Sequence, residues 1–336
     1  MSEQTDPEPA DDLAHSLAAS AGLSAPVSQV RLAGGRNNRV HLVNHQGGTK
    51  TILKRYHHDP ADKRDRLAAE WDYLTTLQPL NLGKTLDPLA DNKDAHAALY
   101  TFIEGRKPAR DEIDEALVDQ AAQFIVDTNR TPVLADTRSA SEACFTLNEH
   151  IASVDRRVAR LAAIDPEAPL ADQAKAIAND EIVPAWTRIR RAITEGSKAG
   201  DKTITSQILS PSDFGFHNSL IDETGCATFI DFEYAGRDDA SKLICDFFCQ
   251  PEIPVSLDHY PRFRDIILNA INAADADRAR CDVLLPAYRI KWLCIMMNEF
   301  LTTGARRREF AEDTARETRA ARQLATINKA LSALQN

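Results

Sequence analysis

The sequence predicts an α+β protein with two lobes, a small one built on an antiparallel sheet and a larger one that is mostly helical. Residues 29–57 contain short apolar segments that alternate with polar residues and bend at glycine, which is typical of antiparallel strands. From residue 110 onward, most segments carry the apolar spacing of helices instead. A chain of 336 residues is long enough to form both lobes.

The first lobe is predicted to follow an acidic N-terminal tail. Residues 1–25 are assigned to this disordered tail and to a helix at 12–23 that ends at a glycine. The N-terminal lobe then covers residues 26–105. It contains the strands of 29–57, a helix at 60–78 opened by Pro60, and a closing strand at 96–105.

The second lobe is predicted to cover residues 106–336. Its helical segments are expected at 110–129, 142–163, 170–196, 239–249, 259–273, 277–303 and 311–335. One pair of strands interrupts them, because two apolar runs between residues 208 and 236 are joined by a short turn that contains glycine, the pattern of a β-hairpin.

Composition excludes several classes of protein. The net charge of −10 argues against a general binder of nucleic acid, which needs clustered Lys and Arg. The apolar runs are shorter than the roughly 20 residues of a membrane span. The N-terminus lacks the basic and apolar segments of a secretory signal, and the six cysteines form no CxxC pair. A cytoplasmic protein with buried thiols is expected, and its oligomeric state is left open.

Three polar side chains lie in and between the two strands of the predicted hairpin. Asp213 and Asn218 belong to the segment ILSPSDFGFHNSLID, and Asp231 belongs to CATFIDFEYAG. Carboxylate and amide oxygens are the ligands that Mg²⁺ takes in proteins, together with water and substrate phosphates. Such residues also cap turns, but three of them around adjacent strands favour a metal site, with Asp213 left to face a substrate hydroxyl.

A glycine-rich bend and a lysine in the first lobe fit a phosphate site. Gly34 and Gly35 would let the backbone approach a phosphate, although glycines are also common in hairpin turns. Lys54 lies on the strand that follows, and Glu70 on the next helix is the nearest residue to hold its ammonium group. By themselves, these two residues could equally form a surface ion pair.

In this order, the residues resemble the aminoglycoside phosphotransferase and choline kinase superfamily, whose fold is that of the protein kinases. The shared pattern runs from about 28 to 250: a glycine-rich hairpin, a strand Lys, a helix Glu, D-x-x-x-x-N and a later I-D-[FW]-E. The resemblance implies that Asp213 is catalytic, that Asn218 and Asp231 hold Mg²⁺, and that Glu70 orients Lys54 on the α and β phosphates. The implied ATP contacts are Gly34, Gly35, Asn38, Lys54, Glu70, Tyr100 and Phe102, with adenine against the strand that ends in LYTFIEG.

One departure from the family pattern concerns Pro211, which stands where the family usually has His, two residues before Asp213. Proline can fix a loop by another route, but its presence leaves room for weakened activity. His217, beside Asn218, would either contact substrate or pack.

The acceptor is predicted to be a small molecule. The segment after Asp231 has no D-F-G or A-P-E and no room for the activation segment of a protein kinase. If Glu233, Asp238 and Asp239, with Asp246 and Glu299, line the pocket, they would favour a cationic alcohol. The other interpretation is that Asp238 and Asp239 cap the following helix.

The sequence therefore predicts an ATP-dependent phosphotransferase that acts on a hydroxyl of an amino alcohol, an aminoglycoside-like compound or a sugar. The alternative is a catalytically impaired, kinase-like nucleotide-binding sensor or scaffold.

Overall fold

A computed structural model describes residues 7–32, 38–58, 62, 64–130, 133, 136–196, 206–302 and 315–335. The strands are β1 (Pro26–Leu32), β2 (Arg39–His45), β3 (Lys50–Arg55), β4 (Pro88–Asn92), β5 (Ala97–Thr101), β6 (Gln207–Ser210), β7 (Ser219–Ile221), β8 (Ala227–Phe229) and β9 (Gly236–Asp239). The helices are α1 (Asp12–Ser20), α2 (Arg66–Leu77), α3 (Glu115–Thr128), α4 (Leu147–Arg160), α5 (Ala171–Ala176), α6 (Val183–Gly196), α7 (Ala240–Cys249), α8 (Tyr260–Ala270), α9 (Asp275–Met296) and α10 (Arg316–Gln335). The predicted α+β class is confirmed.

The chain forms two compact units, each assembled from separate segments. Unit 1 contains residues 1–128, 136–141 and 211–236, and unit 2 contains residues 129–135, 142–210 and 237–336. The lobe boundary placed between residues 105 and 106 from the sequence stays a prediction. Among the described residues, no helix is both long and apolar enough to span a membrane.

The sheet of unit 1 has the strand order β1-β2-β3-β5-β4, with antiparallel pairing throughout. Strand β4 was not predicted, and β5 ends at Thr101 rather than at residue 105. Helix α2 begins at Arg66 and not at Pro60, which lies outside the described residues, because Asp65 caps it by accepting from the backbone N–H of Ala68 at 2.9 Å.

Helix α1 covers one face of this sheet. Its residues Ala14 and Leu17 pack with Val43 of β2, Leu53 of β3 and Leu99 of β5. Successive side chains of a strand point to opposite faces, so Lys54, the residue after Leu53, lies on the other face. The hydrophobic packing of α1 thereby sets the direction of that lysine.

The later part of unit 1 is a short hairpin. Strands β7 and β8 pair from Ser219 opposite Phe229 to Ile221 opposite Ala227. Asp222 stabilises the turn between them, since its carboxylate accepts from the backbone N–H groups of Thr224 at 2.8 Å and Cys226 at 2.9 Å.

Unit 2 has a separate apolar core. Its members come mainly from α4, α6, α9 and α10, and include Val154, Trp186, Ile290 and Ile327. Between α5 and α6, residues Ile177–Ile182 form a short π-helical segment.

Candidate active site

Lys54 lies in the interior of unit 1 between two carboxylates. Its Nζ donates to Glu70 Oε2 at 2.6 Å and to Asp231 Oδ1 at 2.5 Å. Burial by itself would lower the pKa of Lys54, but Asp231 and then Glu70 outweigh this effect and raise the pKa well above its usual value. Lys54 is therefore charged at neutral pH.

Glu70 links this lysine to the backbone beside Asp231. It is completely buried, and its Oε1 accepts from the N–H of Phe232 at 3.1 Å. Its Oε2 also accepts from the hydroxyl of Tyr56 at 2.6 Å. The carboxylate thus holds a strand, a helix and the segment after β8 together.

Tyr56 was not singled out from the sequence. It stands two residues after Lys54, and this spacing, which puts both residues on one face of an extended segment, is the signal that could have found it. Its hydroxyl also forms a 2.6 Å hydrogen bond with the hydroxyl of Tyr100.

Tyr100, which the resemblance places among the ATP contacts, has a buried side chain, and its contact with the nucleotide stays a prediction. Tyr100 has no exposed surface, because its ring packs inside unit 1 and its hydroxyl binds Tyr56. The ring itself therefore belongs to the interior of unit 1. Phe102 is partly exposed, with Lys50 Nζ 5.2 Å from its ring centroid, and its contact with the nucleotide stays a prediction.

The loop after β6 brings Asp213, His217 and Asn218 together. The amide of Asn218 donates to the backbone oxygen of Asp213 at 3.0 Å, and the Nε2 of His217 lies 3.3 Å from Asp213 Oδ1. The backbone N–H of Ile230 donates to the backbone oxygen of Asn218 at 3.0 Å, which ties the loop to the residue before Asp231.

Aromatic rings hold this loop in place. Phe214 lies 4.7 Å from Phe229 and 5.8 Å from Phe124, measured between ring centroids. Ring contacts of this kind contribute roughly 0.5–1.5 kcal/mol each beyond the area they bury. The apolar residues of the D-x-x-x-x-N segment therefore anchor it, while the side chain of Asp213 stays 39% exposed.

Two residues of the site have a left-handed backbone that is uncommon for residues other than glycine. The φ angle is 67° at both Ser212 and Asp231. Such conformations cost about 1–3 kcal/mol and persist where the surrounding structure imposes them. Each lies at or beside a residue assigned to chemistry, since Ser212 precedes Asp213.

The oxygen donors near Asp231 fit a magnesium ion. The hydrogen bond from the Asn218 amide to Asp213 leaves the amide oxygen of Asn218 for a ligand, and the Asp231 side chain is 39% exposed. Within the described part of the chain, no three His, Cys, Asp and Glu residues form a metal-binding group. Mg²⁺ needs only one or two protein carboxylates when phosphates and water supply the rest.

Asp238 and Asp239 were predicted either to line an acidic substrate pocket or to cap the following helix, and their contact with substrate stays a prediction. Both belong to unit 2 and both are completely buried. Asp238 pairs with Lys242 at 3.1 Å. Asp239 caps α7, accepting from the N–H of Ser241 at 3.0 Å, and it pairs with His150 at 3.0 Å. The capping interpretation is the one that the structure favours for Asp239.

The other acidic residues of the predicted pocket also have side-chain partners within the protein. Asp246 binds Lys291 at 2.9 Å, and Glu299 binds Arg319 at 3.2 Å. Glu233 is 3% exposed and accepts from the amide of Asn38 at 2.5 Å. Buried carboxylates with such partners do not supply an exposed binding surface for a cation.

Of the glycine-rich bend, only its end is described. Gly34 and Gly35 lie outside the described residues, and their contact with phosphate stays a prediction. Asn38, at the start of β2, is described, and its Oδ1 accepts from the backbone N–H of His57 at 3.3 Å.

Comparison of the sequence with curated proteins gave no significant match. A family model described as the phosphotransferase enzyme family matches residues 28–280. This range contains every site residue predicted from the sequence except Glu299.

Solved structures of kinases are similar to this chain. A spectinomycin phosphotransferase in complex with ADP and spectinomycin has a TM-score of 0.61 and 13% identity, over 95% of this chain and 99% of that one. For choline kinase from Streptococcus pneumoniae, the TM-score is 0.55 at 13% identity, over 88% and 92%. For an amicoumacin kinase in complex with AMP-PNP and Ca²⁺, it is 0.55 at 15% identity, over 90% and 88%. The predicted kinase-like fold is confirmed.

Proposed function

The chain belongs to the phosphotransferase enzyme family and is a small-molecule kinase, and from this premise we propose that it transfers the γ-phosphoryl group of ATP to a hydroxyl group of a small metabolite. The observation that carries the proposal is the cluster of Lys54, Glu70 and Asp231, with Asp213 and Asn218 in the same unit. The ADP and AMP-PNP in two similar structures support the choice of a nucleotide as donor.

Asp213 is assigned as the general base. Its partly exposed carboxylate accepts the proton of the acceptor hydroxyl while the hydroxyl oxygen attacks the γ-phosphorus and the bond to the β-phosphate oxygen breaks. The Asn218 amide donates to its backbone oxygen and His217 lies beside its side chain, so the carboxylate is directed by its own loop.

Lys54 and Glu70 position the nucleotide in this proposal. The ammonium group, kept charged by its two carboxylate partners, binds phosphate oxygens, and Glu70 sets its direction. Asn218 and Asp231 would hold Mg²⁺, which neutralises charge on the β and γ phosphates when bound.

The acceptor is proposed only by class. Amino alcohols, aminoglycoside-like compounds and sugars all present hydroxyl groups to a base such as Asp213. Because Glu233, Asp238 and Asp239 are already paired, they give no reason to prefer a cationic acceptor over a neutral one.

Steady-state consumption of ATP with a panel of these three classes tests the proposal. We expect one class to stimulate turnover in the wild type and Asp213→Asn to lose most of that stimulation. If no acceptor stimulates turnover although Mg-ATP binds, the alternative of a kinase-like sensor is supported. The reason to consider this alternative is Pro211, which precedes the catalytic loop.

A further inference from the structure

Glu233, which neither caps a helix nor faces solvent, joins three segments of unit 1. Its Oε2 accepts from Asn38 Nδ2 at 2.5 Å and lies 3.7 Å from the Nε of Arg66. Asn38 immediately precedes β2, and Arg66 is the first residue of α2. Glu233 lies two residues after Asp231.

Arg66 binds this segment one helical turn before Glu70. Residues i and i+4 lie on the same face of a helix, and Glu70 accepts from the N–H of Phe232 at 3.1 Å. Helix α2 therefore contacts residues 231–234 at two adjacent levels, by Glu70 at Phe232 and by Arg66 at Glu233.

The guanidinium of Arg66 is held by its two terminal nitrogens, while its buried Nε has no hydrogen-bond partner among the described residues and faces Glu233 at 3.7 Å. It donates to the backbone oxygen of His57 at 3.1 Å and to Asp62 Oδ2 at 2.7 Å, and it lies 5.9 Å from the centroid of the Tyr234 ring. Only 4% of the residue is exposed. An arginine buried in this way is not placed to bind phosphate itself, and Glu233, two residues after Asp231, is the contact that connects it to the proposed metal site.

We propose that Arg66 is a positioning residue, which acts through Glu233 to fix Asp231 and Asn38 relative to the Lys54–Glu70 pair. This inference rests on the proposed function, because it assigns the purpose of the arrangement to the binding of magnesium and nucleotide. It changes the predicted roles of Asn38 and Glu233 from contacts with nucleotide and substrate to parts of the supporting structure.

The physical basis is the strain at Asp231. A non-glycine residue with φ of 67° returns to ordinary conformations unless its neighbours prevent it. Phe232 and Glu233 are both tied to α2, so the chain after Asp231 cannot rotate while these contacts hold. Groups that orient metal ligands typically change metal affinity by about 10- to 100-fold when they are removed.

The test measures the affinity for Mg-AMP-PNP by calorimetry and the Mg²⁺ concentration at half-maximal turnover. For Arg66→Met and for Glu233→Gln, we expect the affinity to fall and the half-maximal Mg²⁺ concentration to rise, each about 10-fold. Arg66→Lys, which keeps the charge toward Glu233, should recover part of the loss. In the double variant, the two losses should not add, since both remove the same contact.

Arg319→Met is the matched control. Arg319 is 3% exposed and pairs with Glu299 at 3.2 Å, but it belongs to unit 2. Its substitution should lower the melting temperature as Arg66→Met does and leave the affinity for Mg-AMP-PNP unchanged.

Three outcomes would overturn the inference. If Arg66→Met and Glu233→Gln melt at lower temperature but bind Mg-AMP-PNP as the wild type does, their role is structural only. Should Arg66→Met fail to fold, the affinities of Glu233→Gln and Asn38→Ala for Mg-AMP-PNP decide the question. If both affinities equal that of the wild type, the inference is again overturned. If the wild type itself binds no Mg-nucleotide, the proposed function fails together with the inference, which distinguishes this case from the first two.

Discussion

At the residue scale, Lys54 shows how a charge is kept in an interior. Either carboxylate partner offsets part of the cost of burial, and the two of them hold the ammonium between a helix and the turn after β8. One partner, Glu70, is completely buried, whereas Asp231 is partly exposed. Removal of the buried Glu70 and removal of the partly exposed Asp231 should therefore have different effects on the protein.

Substitution of Asp231 by Ala should remove magnesium-dependent nucleotide binding without unfolding the protein. Glu70 still neutralises Lys54 in this variant, so we expect a small change of melting temperature. Isothermal calorimetry with AMP-PNP, with and without Mg²⁺, measures the effect. Equal affinity of the variant and the wild type for Mg-AMP-PNP would show that the metal is held elsewhere.

Asp213→Asn should separate chemistry from binding. The amide has the same shape but accepts no proton, so kcat should fall by about 10²- to 10⁴-fold while the affinity for Mg-ATP stays within a factor of about two. Single-turnover kinetics and nucleotide titration give the two values. A parallel loss of nucleotide affinity would instead assign Asp213 to the binding site.

The sequence singled out Lys54, Glu70, Asp213, Asn218 and Asp231, because each is a polar residue in or beside an apolar run and their order is informative. The structure brings Lys54 into contact with Glu70 and Asp231, and the roles of all five residues stay predictions. Arg66 could not be found in this way. An arginine at the start of a helix is usually solvated, and its burial depends on Glu233, which lies 167 positions away in the printed sequence.

At the element scale, β9 begins where the backbone passes very close to another segment. A Cβ on Gly236 would lie 2.5 Å from both the N of Ala140 and the oxygen of Arg138. Neither of these backbone atoms can move away as a flexible side chain would. The start of β9 thus depends on the absence of a side chain.

Gly236→Ala is expected to lower the free energy of unfolding by about 3 kcal/mol, the upper end for overpacking. Gly225→Ala is the control, because φ is 79° there and no atom lies within 4 Å of the added Cβ, so only backbone strain of about 1 kcal/mol applies. Urea denaturation of both variants measures the difference. Equal losses would mean that the segment of residues 138–140 moves aside at little cost.

The contacts of His150 make the stability of unit 2 depend on pH. Its Nδ1 contacts the hydroxyl of Tyr288 at 2.6 Å and its Nε2 contacts Asp239 at 3.0 Å, and Arg280 also binds Asp239. Burial by itself would lower the pKa of His150, but the hydrogen bonds with Asp239 and Cys144 outweigh it and raise the pKa to about 9.

The folded-state pKa of His150 is above the unfolded value of 6.5. The stability that protonated His150 adds to the folded protein should therefore be complete below pH 6.5 and be lost as the pH rises through 9. The loss is of the order of 3 kcal/mol. We expect the difference in unfolding free energy between wild type and His150→Gln to shrink by about this amount from pH 6 to pH 10. A difference that stays constant over this range would show that folding does not raise the pKa of His150.

Strand β4 and the acidic residues mark where sequence patterns failed at this scale. The segment PLADN begins with proline and ends with Asp and Asn, which are depleted in strands, yet it pairs with β5 at the edge of the sheet. The partners of Asp239 are equally hidden, since His150 and Arg280 come from helices α4 and α9.

At the scale of the whole molecule, the proposed active site depends on segments that are distant in sequence. Unit 1 takes residues 1–128, 136–141 and 211–236, and its site residues come from the first and last of these. The α+β class could be predicted because periodicity is local. The composition of the two units could not, because pairings such as that of Lys54 with Asp231 leave no local pattern.

Aromatic residues show what this arrangement requires of the growing chain. Phe124 of α3 lies 5.8, 4.9 and 6.1 Å from Phe214, Phe229 and Phe232, measured between ring centroids. During synthesis at roughly 5–20 residues per second, Phe124 emerges several seconds before these partners. Until then the nascent chain exposes an apolar surface that these three rings cover in the folded protein. A ribosome-bound chain that ends before residue 206 should therefore be bound by chaperones and cut readily by protease, and one extended well beyond residue 236 should be protected. The residues assigned to phosphoryl transfer would then also complete the fold of unit 1.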